Sequence, residues 1–398
     1  MVLYESALFK VVMTTLPVGK IGGLIMNIEE TVTYKEIMQQ STVWPKIENL
    51  IKEKKSLIDD LLKNKFEDNP VKVLFTGAGS SAYIGDFLEN HLMPKQNMTL
   101  LSVPTTEILT DPEKFLGIDD NLIIFSFARS GNSPESKGVI SLAEKFAPNA
   151  EHIFVTNNKD GFLANYKSEN VSCIVLPEET NDKSLAMTSS YSTMLITASL
   201  LLGGGLSKRF LGELDAKFEM INKTTDSVLT DDFDKTFYVG TGVHARINQE
   251  ISLKMNELTS GAVHVNSEST LGFRHGPKAA LTSGSLYIQF FSNDEYKNLY
   301  ETDLAAEMGQ NDHYYKLLVV PDYSIVDTEL NELFNVVSLE ATNYSEYEIA
   351  LLYLVFGQLL ACKKSISLGI NPDNPSPDGY INRVVQGVTL YDYEEKEK

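Results

Sequence analysis

Hydrophobic side chains recur at helical spacing between about residues 27 and 69, and this pattern predicts a helical lead-in to the folded chain. Asp68-Asn69-Pro70 ends it, because proline does not continue a helix. The apolar run Val71–Thr76 then predicts a strand, and Gly77-Ala-Gly-Ser-Ser81 predicts a tight turn into a second helical pattern that reaches Leu92. Strand, glycine turn and helix in this order are typical of a parallel α/β sheet.

Three further apolar runs predict more strands of the same sheet. Asn121–Phe127 leads into the polar loop Ala128-Arg-Ser-Gly-Asn-Ser-Pro134, and Ile153–Val155 and Cys173–Leu176 follow. Helical patterns separate several of these strands. We therefore expect an α/β fold in which a mainly parallel sheet is covered by helices on both faces, a three-layer α/β/α arrangement.

The same pattern occurs a second time along the chain. Lys72–Gly79 resembles Lys235–Gly242, which lies 235 − 72 = 163 residues later, and Leu122–Phe127 matches Leu286–Phe291 at nearly the same spacing. Two matches at one spacing indicate a duplicated domain, with a linker over Ile221–Asp234. The predicted parts are an N-terminal extension with the lead-in (1–68), a first domain (69–220), a second domain (221–370) and a C-terminal tail (371–398).

The two copies differ at the ends of their strands. The first copy carries hydroxyl groups there, on Ser80, Ser81, Ser130 and Ser133, whereas the second carries the acidic loop Ser292-Asn-Asp-Glu295. Hydroxyls, glycine turns and helix N-termini together are suited to hold a phosphate group. Each loop alone is also explained by a tight turn with helix caps, and neither has the spacing of a dinucleotide fingerprint or a P-loop. Both loops together favour a phosphate site in the first copy.

Candidate acid–base residues lie in the second copy. Lys254 and Glu257 are three residues apart and share one face of a predicted helix, and His275 stands in a Gly-Pro turn. The alternative for the first two is a surface ion pair, and the alternative for the histidine is a hydrogen bond to the backbone. His264 and Glu268 are rival acid–base candidates. The pattern leaves these alternatives open.

Composition excludes several other classes of function. The 398 residues carry 34 Lys and Arg against 54 Asp and Glu, and the formal net charge of −20 disfavours binding to nucleic acid. The two cysteines, Cys173 and Cys362, are far apart, so we expect a reducing cytoplasm rather than a disulfide scaffold. No convincing set of metal ligands stands out, and we expect neither a metal nor a cofactor.

Two apolar segments resemble sequences that enter membranes. Ser184–Ser207 carries no charge and is long enough to span a bilayer, but its many hydroxyls and the run Gly203–Gly205 favour a helix buried in a large core. Met1–Ile25 is apolar but lacks the basic start of a signal peptide. We expect no association with membranes, and we interpret residues 1–25 as an extension or loose arm ahead of the folded chain.

These motifs resemble tandem sugar isomerase (SIS) domains over roughly residues 30–390. The similarity rests on Gly77–Ser81, on Ser126–Pro134 and on Glu257 with Arg274-His-Gly-Pro277. Three further motifs are similar to the galactosamine-6-phosphate deaminase/isomerase branch, which is also called tagatose-6-phosphate ketose/aldose isomerase. They are Tyr34-Lys-Glu-Ile-Met-Gln-Gln40 with Trp44, Leu185-Ala-Met-Thr-Ser-Ser-Tyr-Ser192, and Gly369–Pro377 with Asn382–Gly387.

The resemblance implies a role for each matching residue. By similarity to the isomerase half of glucosamine-6-phosphate synthase, the four serines named above and Arg129 hold the phosphate of a small sugar phosphate. Glu257 moves a proton between C1 and C2, and Lys254 stands beside it. His275 opens the sugar ring and comes from a neighbouring subunit, which implies a homodimer or higher homo-oligomer.

The chain also departs from that relative. Ala128 replaces the first hydroxyl of its serine loop, and its lysine near the C-terminus falls on Gln386, with Arg383 nearby as a substitute. Arg383 and Ala186 are the candidate sugar-binding residues. No glutaminase half that would supply ammonia is recognised, so release of an amine is expected rather than its installation.

The resulting expectation is a cytoplasmic enzyme that converts D-galactosamine 6-phosphate and water to D-tagatose 6-phosphate and ammonia. One alternative is a phosphosugar aldose–ketose isomerase that releases no ammonia, and another is a phosphosugar sensor without catalysis. Retention of Glu257 and His275 favours catalysis, as does the absence of a clear DNA-binding module in residues 1–70. The sequence leaves the galacto or gluco configuration of the substrate open.

Overall fold

The computed structural model describes most of the chain and places its first elements ahead of the two predicted domains. Residues 1–18 and Gln386, on which two of the expectations above fall, lie outside the described residues. The short strands β1 (Gly19–Ile21) and β2 (Leu24–Met26) pair antiparallel. The described residues are 19–21, 24–66, 70–92, 97–117, 121–229, 232–385 and 387–393.

The predicted lead-in is helical, as expected. It consists of α1 (Val32–Met38) and α2 (Gln40–Phe66). Thr31 caps α1, because its hydroxyl accepts a hydrogen bond from the backbone of Tyr34. Further along the chain, Asp373 of the tail accepts hydrogen bonds from two backbone N–H groups of the first turn of α1.

The first sheet is parallel throughout, and each predicted strand is present. Its strand order is β4-β3-β5-β6-β7. The strands are β3 (Val71–Thr76), β4 (Met98–Ser102), β5 (Leu122–Ala128), β6 (Glu151–Thr156) and β7 (Val171–Val175). The helices of this half are α3 (Ser80–His91), α4 (Thr105–Thr110), α5 (Pro112–Phe115), α6 (Pro134–Phe146) and α7 (Phe162–Asn165).

Two helices join the halves, and both correct an expectation. The uncharged segment Ser184–Ser207 is not one helix, since α8 occupies only Ser189–Leu201. It is buried along nearly its whole length, as a core helix should be. Residues 221–228 of the predicted linker belong to the last turns of α9 (Lys208–Val228), because Phe210, Phe218 and neighbouring apolar residues keep one face of that helix in the core.

The second sheet is also parallel throughout, with the strand order β12-β11-β10-β8-β9. Its strands are β8 (Lys235–Gly240), β9 (His264–Ser269), β10 (Ser285–Phe290), β11 (Tyr315–Val320) and β12 (Asn335–Ser338). Its helices are α10 (Val243–Leu258), α11 (Glu295–Gly309), α12 (Thr328–Leu333) and α13 (Glu346–Ser367). Both sheets therefore place their second strand beside the first, and the third on the other side of the first.

The register of the two sheets also corresponds. Lys72 of β3 lies opposite Leu122 of β5, and Lys235 of β8 lies opposite Ser285 of β10. The two pairs are related by the same spacing, since 235 − 72 and 285 − 122 are both 163. Two parallel five-stranded sheets flanked by helices confirm the predicted α/β fold class.

Helices between the sheets bury one large apolar core. It contains residues of both halves, and Trp44 of the lead-in packs in it against Phe210 and Phe218 of α9. Within the described part of the chain, α13 is the one helix long and apolar enough to cross a membrane. It lies wholly inside the protein and packs against α9 and α10.

Candidate active site

The site lies where the strand order of the first sheet reverses. The chain leaves β3 for β4 on one side and later enters β5 on the other, so the loops after β3 and β5 diverge and leave a crevice at their carboxyl ends. Gly79, in the first loop, has a φ of 58°, which glycine adopts without strain. A Cβ on Gly77 would lie 2.6 Å from the backbone of Ser81, so α3 can begin this close to the strand only after glycine.

A cleft of about 630 Å³ opens at this crevice. Because α3 packs against α10, Ser80 lies on one wall and Glu257 on the facing wall. Residues 376–385 of the tail contribute a third wall, through Tyr380, Asn382 and Arg383 among others. Segments from the first domain, the second domain and the tail thus enclose one space.

Of the acid–base pair predicted from the sequence, Glu257 lines this cleft and Lys254 is buried behind it. The ammonium of Lys254 is 2.5 Å from the Glu257 carboxylate and 2.9 Å from the Ser80 hydroxyl. It also lies 3.3 Å from Glu250, one helical turn before it. Lys254 and Glu250 are fully buried, whereas the Glu257 side chain is 23% exposed. The surface ion pair considered as an alternative is therefore wrong for Lys254.

Charges around Lys254 determine its protonation. Burial alone would lower the pKa of Lys254, but the charges of Glu250 and Glu257 outweigh burial and raise it above its ordinary value. Burial also raises the pKa of the Glu250 carboxyl to about 8. Lys254 is thus a cation at neutral pH. It lies directly behind Glu257, the carboxylate of this cluster that lines the cleft.

The predicted phosphate residues are only partly brought together. Ser80 and Arg129 line the cleft, whereas Ser81, Ser130 and Ser133 do not. Ser81 is buried in the first turn of α3. Ser133 caps α6 by accepting a hydrogen bond from the backbone of Ser136, and Ser130 accepts one from the backbone of Asn132. Both hydroxyls serve as local caps in this structure.

Arg129 has partners that the sequence did not indicate. Its guanidinium donates to the backbone carbonyls of Leu185 at 3.0 Å, Ser184 at 3.4 Å and Arg383. Arg383 in turn donates to the carbonyl of Asp182 at 2.8 Å and to the side chain of Asn181 at 2.7 Å. Burial lowers the pKa of Arg129 to about 10, so it keeps its charge at neutral pH.

His275 lies outside the cleft of its own chain. It is exposed in a 3₁₀ turn (Gly272–His275), and the preceding Arg274 forms ion pairs with Asp303 and Glu307 of α11. The rivals His264 and Glu268 do not line the cleft either. Glu268 instead accepts hydrogen bonds from the backbone and hydroxyl of Ser269.

The two candidate sugar-binding residues differ in position. Arg383 lines the cleft, but Ala186 is fully buried in the main core between Leu185 and Met187, which do line it. The cleft also includes Asn256 and Ser260, which the sequence analysis missed. Ser260 has a φ of 51°, a conformation uncommon outside glycine, and no sequence pattern marked it. In the described part of the chain, no group of three or more His, Cys, Asp or Glu side chains could hold a metal.

Comparison with known proteins agrees with this architecture. The SIS domain family model matches residues 66–203. The D-galactosamine-6-phosphate deaminase AgaS of Shewanella sp. ANA-3 is 33% identical over 94% of this chain and 96% of its own. The structure of the tagatose-6-phosphate ketose/aldose isomerase from Escherichia coli has a TM-score of 0.79 and 27% identity, covering 92% of this chain and 98% of that one.

A more distant structure shares the fold alone. The glucosamine-6-phosphate deaminase of Thermotoga maritima superposes with a TM-score of 0.65 at 21% identity, over 89% of this chain and 99% of that one. The relatives with higher identity match more than nine-tenths of this chain. The chain belongs to the AgaS family of tandem SIS-domain proteins.

Proposed function

We propose that this protein is an amino sugar phosphate deaminase/isomerase that converts D-galactosamine 6-phosphate and water to D-tagatose 6-phosphate and ammonia. The observation that carries the proposal is the Lys254–Glu257 pair: Glu257 lines the cleft beside the glycine turn, and the buried Lys254 behind it also donates to Ser80. A carboxylate that reaches substrate, with a buried cation behind it, is the arrangement that proton abstraction next to a carbonyl requires. The deaminases among the relatives supply the substrate class.

The proposed reaction assigns one role to each of these two groups. In the open-chain sugar, Glu257 removes the proton from C2, which carries the amine, and a C1–C2 enolamine forms. The same carboxyl returns the proton to C1, which leaves an imine at C2. Water adds to the imine carbon and ammonia leaves, so that a C2 ketone remains. Lys254 stabilises the negative charge that develops on the C1 oxygen during the first step.

The phosphate group binds at the start of α3. There the backbone amides after Gly79 and the Ser80 hydroxyl meet the positive end of the helix. Arg129, which lines the same cleft, contributes its charge, whereas the other predicted residues, Ser81, Ser130 and Ser133, lie outside the cleft lining. An anion therefore binds locally to a protein whose net charge is −20.

The test is a coupled assay of ammonia and ketose phosphate. Purified protein supplied with D-galactosamine 6-phosphate should release both in equal amounts, and turnover with D-glucosamine 6-phosphate should be slower. Ketose phosphate without ammonia, from galactose 6-phosphate, would instead support plain aldose–ketose isomerisation. The name of the Escherichia coli structure favours that second candidate, since it describes a ketose/aldose isomerase.

Glu257→Gln tests the role of the carboxylate. We expect kcat to fall by about 10²–10⁴-fold with little change in KM, because the amide is nearly the same size but cannot accept the proton. Glu268→Gln is the matched control, since Glu268 is the rival carboxylate that does not line the cleft. Equal loss in the two variants, or full activity in Glu257→Gln, would refute the assignment.

The exposed position of His275 suggests that it acts in the cleft of a second subunit. Variants His275→Ala and Glu257→Gln should each be nearly inactive alone. If the histidine acts between subunits, mixing the two under conditions that allow subunit exchange restores part of the activity, because some clefts receive both wild-type residues. Light scattering that shows an active monomer would contradict this arrangement.

A further inference from the structure

The lead-in helix reaches the cleft through a loop, residues 181–188, that precedes α8. Glu36 of α1 is only 6% exposed, and its carboxylate accepts hydrogen bonds from the backbone N–H of Ser184, from the Ser184 hydroxyl and from the backbone N–H of Lys183. One side chain therefore fixes two consecutive peptide groups of the loop. Hydrogen bonds to a charged acceptor are stronger than those between neutral groups.

The other side of the same loop faces two arginines. The carbonyl of Asp182 accepts a hydrogen bond from Arg383, and the carbonyls of Ser184 and Leu185 accept from Arg129. Arg129 also donates to the carbonyl of Arg383, which joins the tail to the first domain. We call these two guanidinium groups and the carbonyls that they bind the arginine clasp.

The clasp depends on negative charge beneath it. Arg129 is 6% exposed, and a buried guanidinium needs compensating charge and hydrogen-bond acceptors. The carboxylates whose charges act on Arg129 are, in decreasing order, those of Asp182, Glu257 and Glu36. Glu257 is paired with Lys254. Asp182 is occupied with the start of α8, where it accepts from the backbone of Thr188 and of Ser190, both at 2.8 Å. Glu36 therefore holds the part of the loop, at Lys183 and Ser184, next to the carbonyls that bind Arg129.

Other polar residues of the lead-in bind elsewhere. Gln39 donates to the Ser189 hydroxyl at 2.9 Å, Gln40 donates to Gln358 at 2.7 Å, and the indole of Trp44 donates to Ser192 at 2.9 Å. These contacts hold α8 and α13 in place. None of them touches the carbonyls of the arginine clasp.

We infer that Glu36 is a positioning residue for the cleft: by fixing the loop at Lys183 and Ser184, it aligns the carbonyls that hold Arg129 on the cleft wall and Arg383 of the tail over the opening. Glu36 touches neither substrate nor reacting atoms. Its effect on catalysis rests on the proposed function, whereas its effect on the tail does not. The lead-in is therefore part of the working site and not only a cover for the core.

Limited trypsin digestion measures release of the tail without any substrate. Cleavage after Arg383 requires this segment to leave the clasp, and cleavage tracks the population of the released form. The digestion is run at pH 8.5, where Glu36, with a pKa of about 7, is ionised. In Glu36→Gln, cleavage after Arg383 should be faster by about tenfold or more, because a neutral amide replaces the charged acceptor of the loop. Glu348→Gln is the matched control, since Glu348 is as buried and also accepts from backbone N–H groups, but at the starts of α9 and α13.

A second variant distinguishes release of the tail through the arginine clasp from destabilisation of the whole protein. Arg383→Lys keeps a trypsin site and loses the guanidinium fork, so it should release the tail by itself. If Glu36 acts through the clasp, the double variant Glu36→Gln/Arg383→Lys is cleaved no faster than Arg383→Lys. Three results would each overturn the inference. Glu36→Gln is cleaved at the wild-type rate, or Glu348→Gln is cleaved as much faster as Glu36→Gln, or the double variant is faster than wild type by the product of the two single effects.

Steady-state kinetics provide the catalytic readout. Glu36→Gln should raise KM by about tenfold and change kcat by less than about threefold, because the tail and Arg129 contact bound substrate but not the transferred proton. A fall in kcat with KM unchanged would contradict positioning. If no variant or wild-type protein turns over any amino sugar phosphate, the proposed function fails, and the trypsin experiment still decides the role of Glu36.

Discussion

The ion cluster behind Glu257 allows a quantitative prediction. Lys254 is fully buried and lies between Glu250 and Glu257, at 3.3 and 2.5 Å from their carboxylates. Lys254→Met keeps much of the side-chain volume and removes the charge. Glu250 then remains inside the protein with no cation beside it, while Glu257 still reaches the cleft.

The size of the effect follows from these distances. At an effective dielectric constant of about 20, two unit charges 3.3 Å apart attract by about 5 kcal/mol, and desolvation of both ions offsets part of this. Removing one partner of a buried pair costs about 3–5 kcal/mol. Burial raises the pKa of the Glu250 carboxyl to about 8, so Glu250 carries its full charge only above that pH. We expect Lys254→Met to lower the free energy of unfolding by about 3 kcal/mol at pH 9, and by less at pH 7, where Glu250 holds a proton.

The double variant Glu250→Gln/Lys254→Met tests the cause. With the charge of Glu250 also removed, at least about 2 kcal/mol of the loss should return at pH 9, a coupling that neighbouring ions show and distant residues do not. Urea unfolding at pH 9, followed by circular dichroism at matched protein concentration, measures each corner of the cycle. Additive effects, with a coupling below about 0.5 kcal/mol, would refute the reasoning.

A second buried lysine provides the control for this cycle. Lys363 is 2% exposed and pairs with Asp226 at 2.6 Å, but the Asp226 side chain is 33% exposed. In Lys363→Met the remaining carboxylate can therefore be hydrated, so the coupling between Lys363→Met and Asp226→Asn should be smaller than for the Lys254 pair. Equal couplings in both cycles would show that burial of the paired carboxylate does not determine how much stability is lost when its lysine is removed.

Two further predictions concern backbone space and pH. Gly77→Ala should lower the free energy of unfolding by about 1–3 kcal/mol, because its Cβ would meet the Ser81 backbone. Gly212→Ala, which lies in open space on α9, should raise the free energy of unfolding by about 0.5–1 kcal/mol. Thermal melts compare the two variants, and equal shifts of the melting temperature would contradict the packing argument. Burial, with the charge of Asp182, raises the pKa of Glu36 from 4.5 to about 7, so its contribution to stability is full below pH 4.5 and is lost as the pH rises through 7. Glu36→Gln should therefore show a flatter decline in stability from pH 5 to pH 8, and a decline parallel to the wild type would refute this sign.

Local patterns were enough to predict the secondary structure and the chemistry-bearing loops. The period of apolar residues placed β3, β5 and β8 within about one residue, because strands buried on both faces read as continuous apolar runs. The three-residue spacing of Lys254 and Glu257 placed them on one helix face. Local patterns predicted the ends of helices less well. The structure confines α8 to part of the 184–207 segment and extends α9 into the predicted linker, because packing decides where these two helices begin and end.

By itself, then, the sequence determined the fold class, the glycine turn at the first strand end and the placing of Lys254 and Glu257 on one helix face, because each depends on residues near one another in the chain. The tertiary structure decided what surrounds them. It joined Arg129 to carbonyls 55 and 56 residues away and to a tail residue 254 positions later. It also set Glu36 against a loop 147 and 148 positions away, and left His275 outside its own cleft. Such contacts depend on how whole elements pack, and no local spacing encodes them.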